Sequence, residues 1–171
     1  MNRRQFIERT SLSTTGIIAA GSLTIAKAET MHSCDVFVYG STPGGLAAAI
    51  EAARRGCKVI LACPKTHPGG MTASGLCTTD AVRRHLFGGL VIEFIDGVRK
   101  DYLRELGENS PQWSLIRDGW FYEPSVAERV FERMLEKEAE NLTVLRGHHL
   151  TATNGTNDRV TTATLESPDG T

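Results

Sequence analysis

The run from Cys34 to Gly45 constrains this chain more than any other stretch. Val36, Phe37 and Val38 are a short β-branched and aromatic run, as expected of a parallel strand buried on both faces. Gly40 permits a tight turn, and Leu46 to Arg55 then follows helical periodicity, with Leu46, Ala49, Ile50 and Ala53 on one apolar face. Its alanines let that helix lie close to a sheet, and Gly56 suits the residue after its end. A second apolar run, Lys58 to Ala62, closes with Pro64. Strand, helix and strand in this order form a βαβ unit, and the glycine turn at the helix N-terminus is a place where phosphate binds.

The turn departs from the usual spacing of three glycines. Gly40 and Gly45 hold the first and third positions, but Thr42 stands in the middle, with Pro43 and Gly44 after it. The end of the second strand departs as well. An acidic residue there ordinarily holds a ribose hydroxyl, whereas this chain has Cys63, and a thiol is a poor acceptor. A second glycine doublet follows in the loop from His67 to Gly75, which a simple nicotinamide-binding unit does not need.

Three segments together resemble the FAD-dependent oxidoreductase family of the glutathione-reductase-like superfamily, which includes heterodisulfide-reductase-like flavoproteins. They are Tyr39 to Gly45, His67 to Thr72 continuing through Gly75 to Asp80, and Phe121 to Glu128. The resemblance implies an α/β fold: a Rossmann-like parallel sheet with a terminal β-hairpin, incomplete at the C-terminus. It implies FAD as cofactor, with Gly40, Thr42, Pro43, Gly44 and Gly45 on one side of the pyrophosphate. Gly69, Gly70, Met71 and Thr72 lie on the other side, Cys63 stands at the ribose position, and Leu150 lies near the adenine. In this family a threonine at the middle fingerprint position is common. The implied activity is two-electron oxidation of a small organic molecule, with electrons passed to an acceptor that the sequence does not identify.

The N-terminus reads as an address. Arg3 and Arg4 precede Phe6 and Ile7, a moderately apolar stretch runs from Thr15 to Ile25, and Ala26 to Ala28 offers a small-residue cleavage site. The expectation is a twin-arginine signal over residues 1–28, a twin-arginine translocase as partner and a periplasmic location; the alternative is an amphipathic N-terminal helix. No stretch reaches the roughly 18 to 20 apolar residues of a membrane span, so no stable anchor is expected. A net charge of −1 gives no global field for nucleic acid. Cys34, Cys57, Cys63 and Cys77 have no metal-ligand spacing, and no metal site is expected.

Beyond the nucleotide unit, residues 81–123 read as a helical and loop insertion. Val91, Phe94, Ile95, Val98, Tyr102 and Leu106 mark a helix from Leu90 that Gly107 stops, followed by a polar loop, Glu108 to Trp120, whose tryptophans are candidates for substrate stacking. Pro124 opens another helix, Leu142 to Leu145 forms the third parallel strand, and Val160 to Leu165 alternates as a further strand after turns at Asn154-Gly155 and Asn157-Asp158. Pro168-Asp169-Gly170 signals a hairpin whose return strand is absent, which leaves an open edge and marks the chain as the N-terminal part, residues 34–171, of a longer domain. His67, His85, Arg83 and Arg84 read as solvated loop residues, and no catalytic residue is assignable. A nicotinamide-dependent dehydrogenase and a non-catalytic nucleotide-binding remnant are the alternative readings.

Overall fold

The computed structural model describes residues 4–10 and 28–168. In chain order it contains strands β1 (Arg4–Thr10), β2 (Ala28–Cys34) and β3 (Val36–Tyr39), helix α1 (Pro43–Arg54) and strand β4 (Val59–Cys63). Helices α2 (Gly70–Ser74), α3 (Leu90–Leu106), α4 (Pro111–Leu115) and α5 (Pro124–Glu136) follow. Strands β5 (Leu142–Arg146), β6 (His149–Thr156) and β7 (Arg159–Glu166) come last among the described residues.

The α/β expectation holds. Three strands form a parallel sheet in the order β3-β4-β5, with Val36 opposite Val59 and Val59 opposite Leu142. The central strand β4 is buried along its whole length, which is why its sequence is an unbroken apolar run rather than an alternating one. Val59 and Leu61 face the main core, while Ile60 joins Cys34 and Ala163 in a smaller cluster beneath the second sheet.

The main core lies under three helices. Leu46, Ala49, Ile50 and Ala53 of α1 meet Phe94 and Val98 of α3 and Val130 and Phe131 of α5. Phe94 and Phe131 stack with ring centroids 4.6 Å apart, and Tyr122 meets Phe94 edge-on. Helices α3 and α5 approach closely because position 97 is glycine; a Cβ there would sit 2.6 Å from Val130 Cγ1. The predicted start and stop of α3 and the predicted start of α5 agree with the structure, and Gly107 adopts the left-handed conformation that ends α3.

Four expectations need correction. The loop after β4 is not irregular throughout, since Gly70–Ser74 forms α2. The stretch Glu108 to Trp120 contains α4 and a 3-10 turn, and Trp120 is buried, so that ring is not free to stack face-on against a substrate. Asn154-Gly155 does not form a turn but lies within β6; the chain reverses at Asn157, whose φ is 57°, so that β6 and β7 make the expected terminal hairpin. Finally, β7 is not an open edge. The second sheet has the order β2-β1-β7-β6, with β6 antiparallel to β7 and β1 parallel to β7 on its other side, Gln5 opposite Thr162. Part of the segment read as a signal therefore lies in β1; Met1 to Arg3 and residues 11–27, including the apolar stretch and most of the cleavage site, lie outside the described residues.

Candidate functional site

Strand β3 ends at Tyr39 and delivers the chain into the first glycine turn. Gly40 holds φ at 109°, a conformation that favours glycine, and its N–H donates to the Ala62 carbonyl of the neighbouring strand at 2.8 Å. Thr42 caps α1: its Oγ1 accepts from the Gly45 N–H at 3.4 Å, and its carbonyl accepts from Leu46. Pro43 begins the helix, where the missing N–H costs nothing. Gly45 packs so close to Gly40 that any Cβ would run into the Gly40 carbonyl oxygen. The Thr42 side chain is thus committed to capping the helix rather than standing in the way of a ligand.

The second glycine motif is joined to the first by a hydrogen bond. The Gly69 N–H donates to the Ser41 carbonyl at 2.7 Å, and Gly70 packs against Thr42, which an added Cβ would approach to 3.4 Å. Gly69 and Gly70 both have positive φ, 105° and 52°. A side chain at Gly69 would meet Phe131 Cδ2 at 2.8 Å and Ala73 Cβ at 2.7 Å. Among the described residues the N–H groups of Gly44, Gly70 and Met71 find no acceptor, and they sit at the first turns of α1 and α2. Two adjoining loops therefore present unpaired donors and the positive end of α1, the arrangement that receives an anion such as a diphosphate. Met71 is exposed and Thr72 half-buried.

Helix α5 and strand β5 hold the second loop in place. Arg146 makes a bidentate pair with Glu132, 2.6 Å on each arm, and also donates to the Thr66 carbonyl at 3.1 Å. His67 Nδ1 lies 2.6 Å from Glu128, one helical turn before Glu132. His67 faces solvent as expected, and its ring also ties the loop to α5. Glu128 and Glu132 stand four residues apart just after the Glu123-Pro124 helix start, a spacing that could have pointed to a shared face.

Cys63 stands at the end of β4, buried, with its Sγ donating to the Lys65 carbonyl at 3.1 Å. Its thiol is thereby turned into the loop rather than outward. The Leu150 N–H donates to the Tyr39 hydroxyl at 3.2 Å, so β6 is tied to the strand that leads into the first glycine turn. Nothing in the sequence flags Tyr39 for this role, because the pairing spans more than a hundred residues.

Beyond α2 the chain returns along a two-residue bridge. Thr78 pairs with Phe121, with Thr79 N–H donating to Trp120 and Tyr122 N–H donating to Cys77, each at 2.9 Å. Tyr122 and Thr79 share a hydroxyl–hydroxyl bond of 2.9 Å; burial pushes the phenol up, so it stays neutral. The Thr78 hydroxyl is buried without a partner. An apolar cleft of about 200 Å³ opens beside the glycine loops, lined by Pro43, Leu46, Thr72, Thr79, Phe87 and Phe94 among others.

These geometries can be set beside known proteins. A model of the family described as FAD dependent oxidoreductase matches residues 35–171, most of the chain. The chain belongs to that family. FAD is accordingly its cofactor, and the paired glycine loops are compatible with the group: at two positions a Cβ has no room, and three unpaired first-turn N–H groups can receive a diphosphate. Among solved structures this family member is similar to AlpK, with 21% identity and a TM-score of 0.51 over 80% of this chain and 28% of that one. It is also similar to the myxobacterial chondrochloren halogenase CndH, described as a variant of FAD-dependent halogenases, with 16% identity and a TM-score of 0.50 over 81% of this chain and 34% of that one. Likeness at this identity concerns the fold. The chain spans about a third or less of the length of these structures, and no curated protein matches it. Among the described residues no cluster of His, Cys, Asp and Glu could hold a metal ion, and no helix is long and apolar enough to cross a membrane.

Proposed function

We propose that residues 34–171 are the FAD cradle of an oxidoreductase that removes two electrons from a small organic substrate and passes them to a separate acceptor. The observation that carries this reading is the Gly69 N–H to Ser41 carbonyl bond, which locks two glycine loops into one donor-lined cradle. When bound, FAD supplies the two-electron acceptance, and the protein supplies binding, orientation and exclusion of water. In this reading the first-turn N–H groups of Gly44, Gly70 and Met71 take diphosphate oxygens. The absence of side chains at Gly45 and Gly69 lets the loops close on one another. Cys63 leaves the ribose hydroxyls to other groups, and β6 at Leu150 borders the adenine.

The substrate, the acceptor and the activity of the whole protein belong to this proposal, and the signal-like residues 1–28 support export through the twin-arginine translocase to the periplasm. Titration of the purified protein with FAD and with NAD tests the cofactor half: FAD saturates at one per chain and NAD does not bind. Tighter binding of NAD would replace this reading with that of a nicotinamide-dependent dehydrogenase. Cell fractionation of the protein and its Arg3→Lys/Arg4→Lys variant tests the other half. Equal amounts outside the cytoplasm for both would remove the twin-arginine assignment.

A further inference from the structure

The loops that flank the Thr78–Phe121 bridge carry two arginines in an unusual setting. The Arg84 guanidinium lies 5.1 Å from the Trp120 ring centroid, and that of Arg117 lies 4.5 Å from the centroid of the adjacent Phe121. Phe87 packs edge-on against Trp120 at 5.6 Å. Elsewhere in the fold most arginines are satisfied by carboxylates, such as Arg54 by Glu93 and Arg146 by Glu132. Among the described residues neither the Arg84 nor the Arg117 guanidinium enters a salt bridge or a hydrogen bond. Asp80 and Asp118 lie in the same loops, exposed, and pair with neither; His85 and Arg83 are exposed beside Arg84. A guanidinium held over a ring face by cation–π attraction still has N–H groups to offer a planar anion.

The backbone beneath Arg117 is held in an uncommon shape. Arg117, Asp118 and Gly119 take φ of 46°, 60° and 89° in succession, and the first two are not glycine. Gly119 is locked against α3, where a Cβ would meet Arg99 Cγ at 2.9 Å. Strain of this kind persists only where the surroundings enforce it, and it gathers at binding sites. The buried Thr78 hydroxyl without a partner lies at the bridge between the two loops. The same loops also expose apolar side chains: Val82 is fully exposed, Leu86 and Leu115 are each 68% exposed, and Phe87 is 41% exposed.

We propose that these loops bind the carboxylate of an apolar organic acid, with Arg84 and Arg117 on the acid group and the exposed side chains of Val82, Leu86 and Phe87 on its body. That this acid is the substrate class rests on the FAD reading above; the binding itself does not. The bridge residues Thr78 and Thr79 follow directly on the second glycine motif, and Thr79 and Phe87 both line the cleft beside it, which places the acid next to the cofactor cradle. An inorganic anion would use the arginines but not the apolar rim, and a neutral apolar molecule the reverse.

The chain has two tryptophans, so Trp113→Phe leaves Trp120, under Arg84, as the reporter. Fluorescence of this variant is followed while cyclohexanecarboxylate, cyclohexylmethanol or inorganic phosphate is added. The acid is expected to saturate the signal, with the alcohol and phosphate each binding at least about tenfold more weakly. Arg117→Gln and Arg84→Lys are each expected to weaken the acid about tenfold, while Arg55→Gln, just past the end of α1 and paired with Glu51, leaves it unchanged. FAD titration and melting of the same variants check that the cradle and the fold are intact. Equal affinity for the alcohol or for phosphate, no binding of the acid, or an acid affinity indifferent to Arg117→Gln in folded protein would overturn the proposal. Acid binding in a protein that takes no FAD would sink the cofactor reading and leave this site standing.

Discussion

At Gly45 the carbonyl of Gly40 fills the space a methyl group would take, so Gly45→Ala must push the first glycine turn off the helix. Overpacking of this kind costs about 1–3 kcal/mol, and here the displaced atoms belong to the cradle itself. FAD affinity, read by flavin fluorescence, is expected to fall more than tenfold while the protein still melts cooperatively. Gly88→Ala, where a Cβ meets nothing within 4 Å and φ is unremarkable, is expected to change neither. Thr42→Ala probes a smaller term: loss of the cap over Gly45 is worth about 1 kcal/mol, read as a lower melting temperature. At this scale the sequence was informative about glycine and silent about partners. Gly40, Gly45, Gly69 and Gly70 are visible as candidates because spacing marks them. The Ser41 carbonyl, the Tyr39 hydroxyl and Arg146 are not, because their work depends on contacts between segments far apart in the chain.

Helices α3 and α5 are joined by a charge hub that no spacing rule reveals. Asp101 is buried, 1% exposed, and receives Arg104 at 2.8 Å, Arg129 at 2.7 Å and Arg133 at 2.8 Å. Burial pushes its carboxyl up, but the Arg129 and Arg133 guanidiniums outweigh burial and hold it below the ordinary range. A carboxylate depressed in the native state stabilises fully above its unfolded pKa of about 3.9, and that contribution is lost as pH falls through the native value. Asp101→Asn should therefore lower stability by about 1–3 kcal/mol at neutral pH, the arginines being half-exposed and able to turn to water. The difference from the parent should begin to shrink below about pH 4 in denaturant titrations, where the unfolded carboxyl takes up its proton, and close only as the native carboxyl is protonated at still lower pH. A gap that stays constant down to acid pH would assign the loss to packing alone. The helices themselves were readable because their apolar stripes repeat at helical spacing over three or more turns. Helix α2, one turn long and opened by two glycines, and β6, exposed along most of its length without alternation, carry no such signal.

Across the whole molecule, two sheets divide the work. The parallel sheet and its three covering helices were legible, since a buried central strand and amphipathic helices admit few arrangements. The second sheet was half legible: β7 alternates and its hairpin was expected, but its neighbour β1 was not, because that pairing is a long-range choice that local pattern does not encode. The candidate site spans both scales, with glycines fixed by local geometry and closure fixed by the tertiary bond from Gly69 to Ser41.

The central claim is that these two loops together hold FAD. Equilibrium titration of the purified chain with FAD, repeated for Gly45→Ala, Gly69→Ala and the control Gly88→Ala, tests it most directly. The account predicts one FAD per chain for the parent and the control, and affinity at least tenfold weaker for each of the two cradle variants. A parent chain that takes up no FAD, or cradle variants that fold and bind it as tightly as the parent, would contradict it.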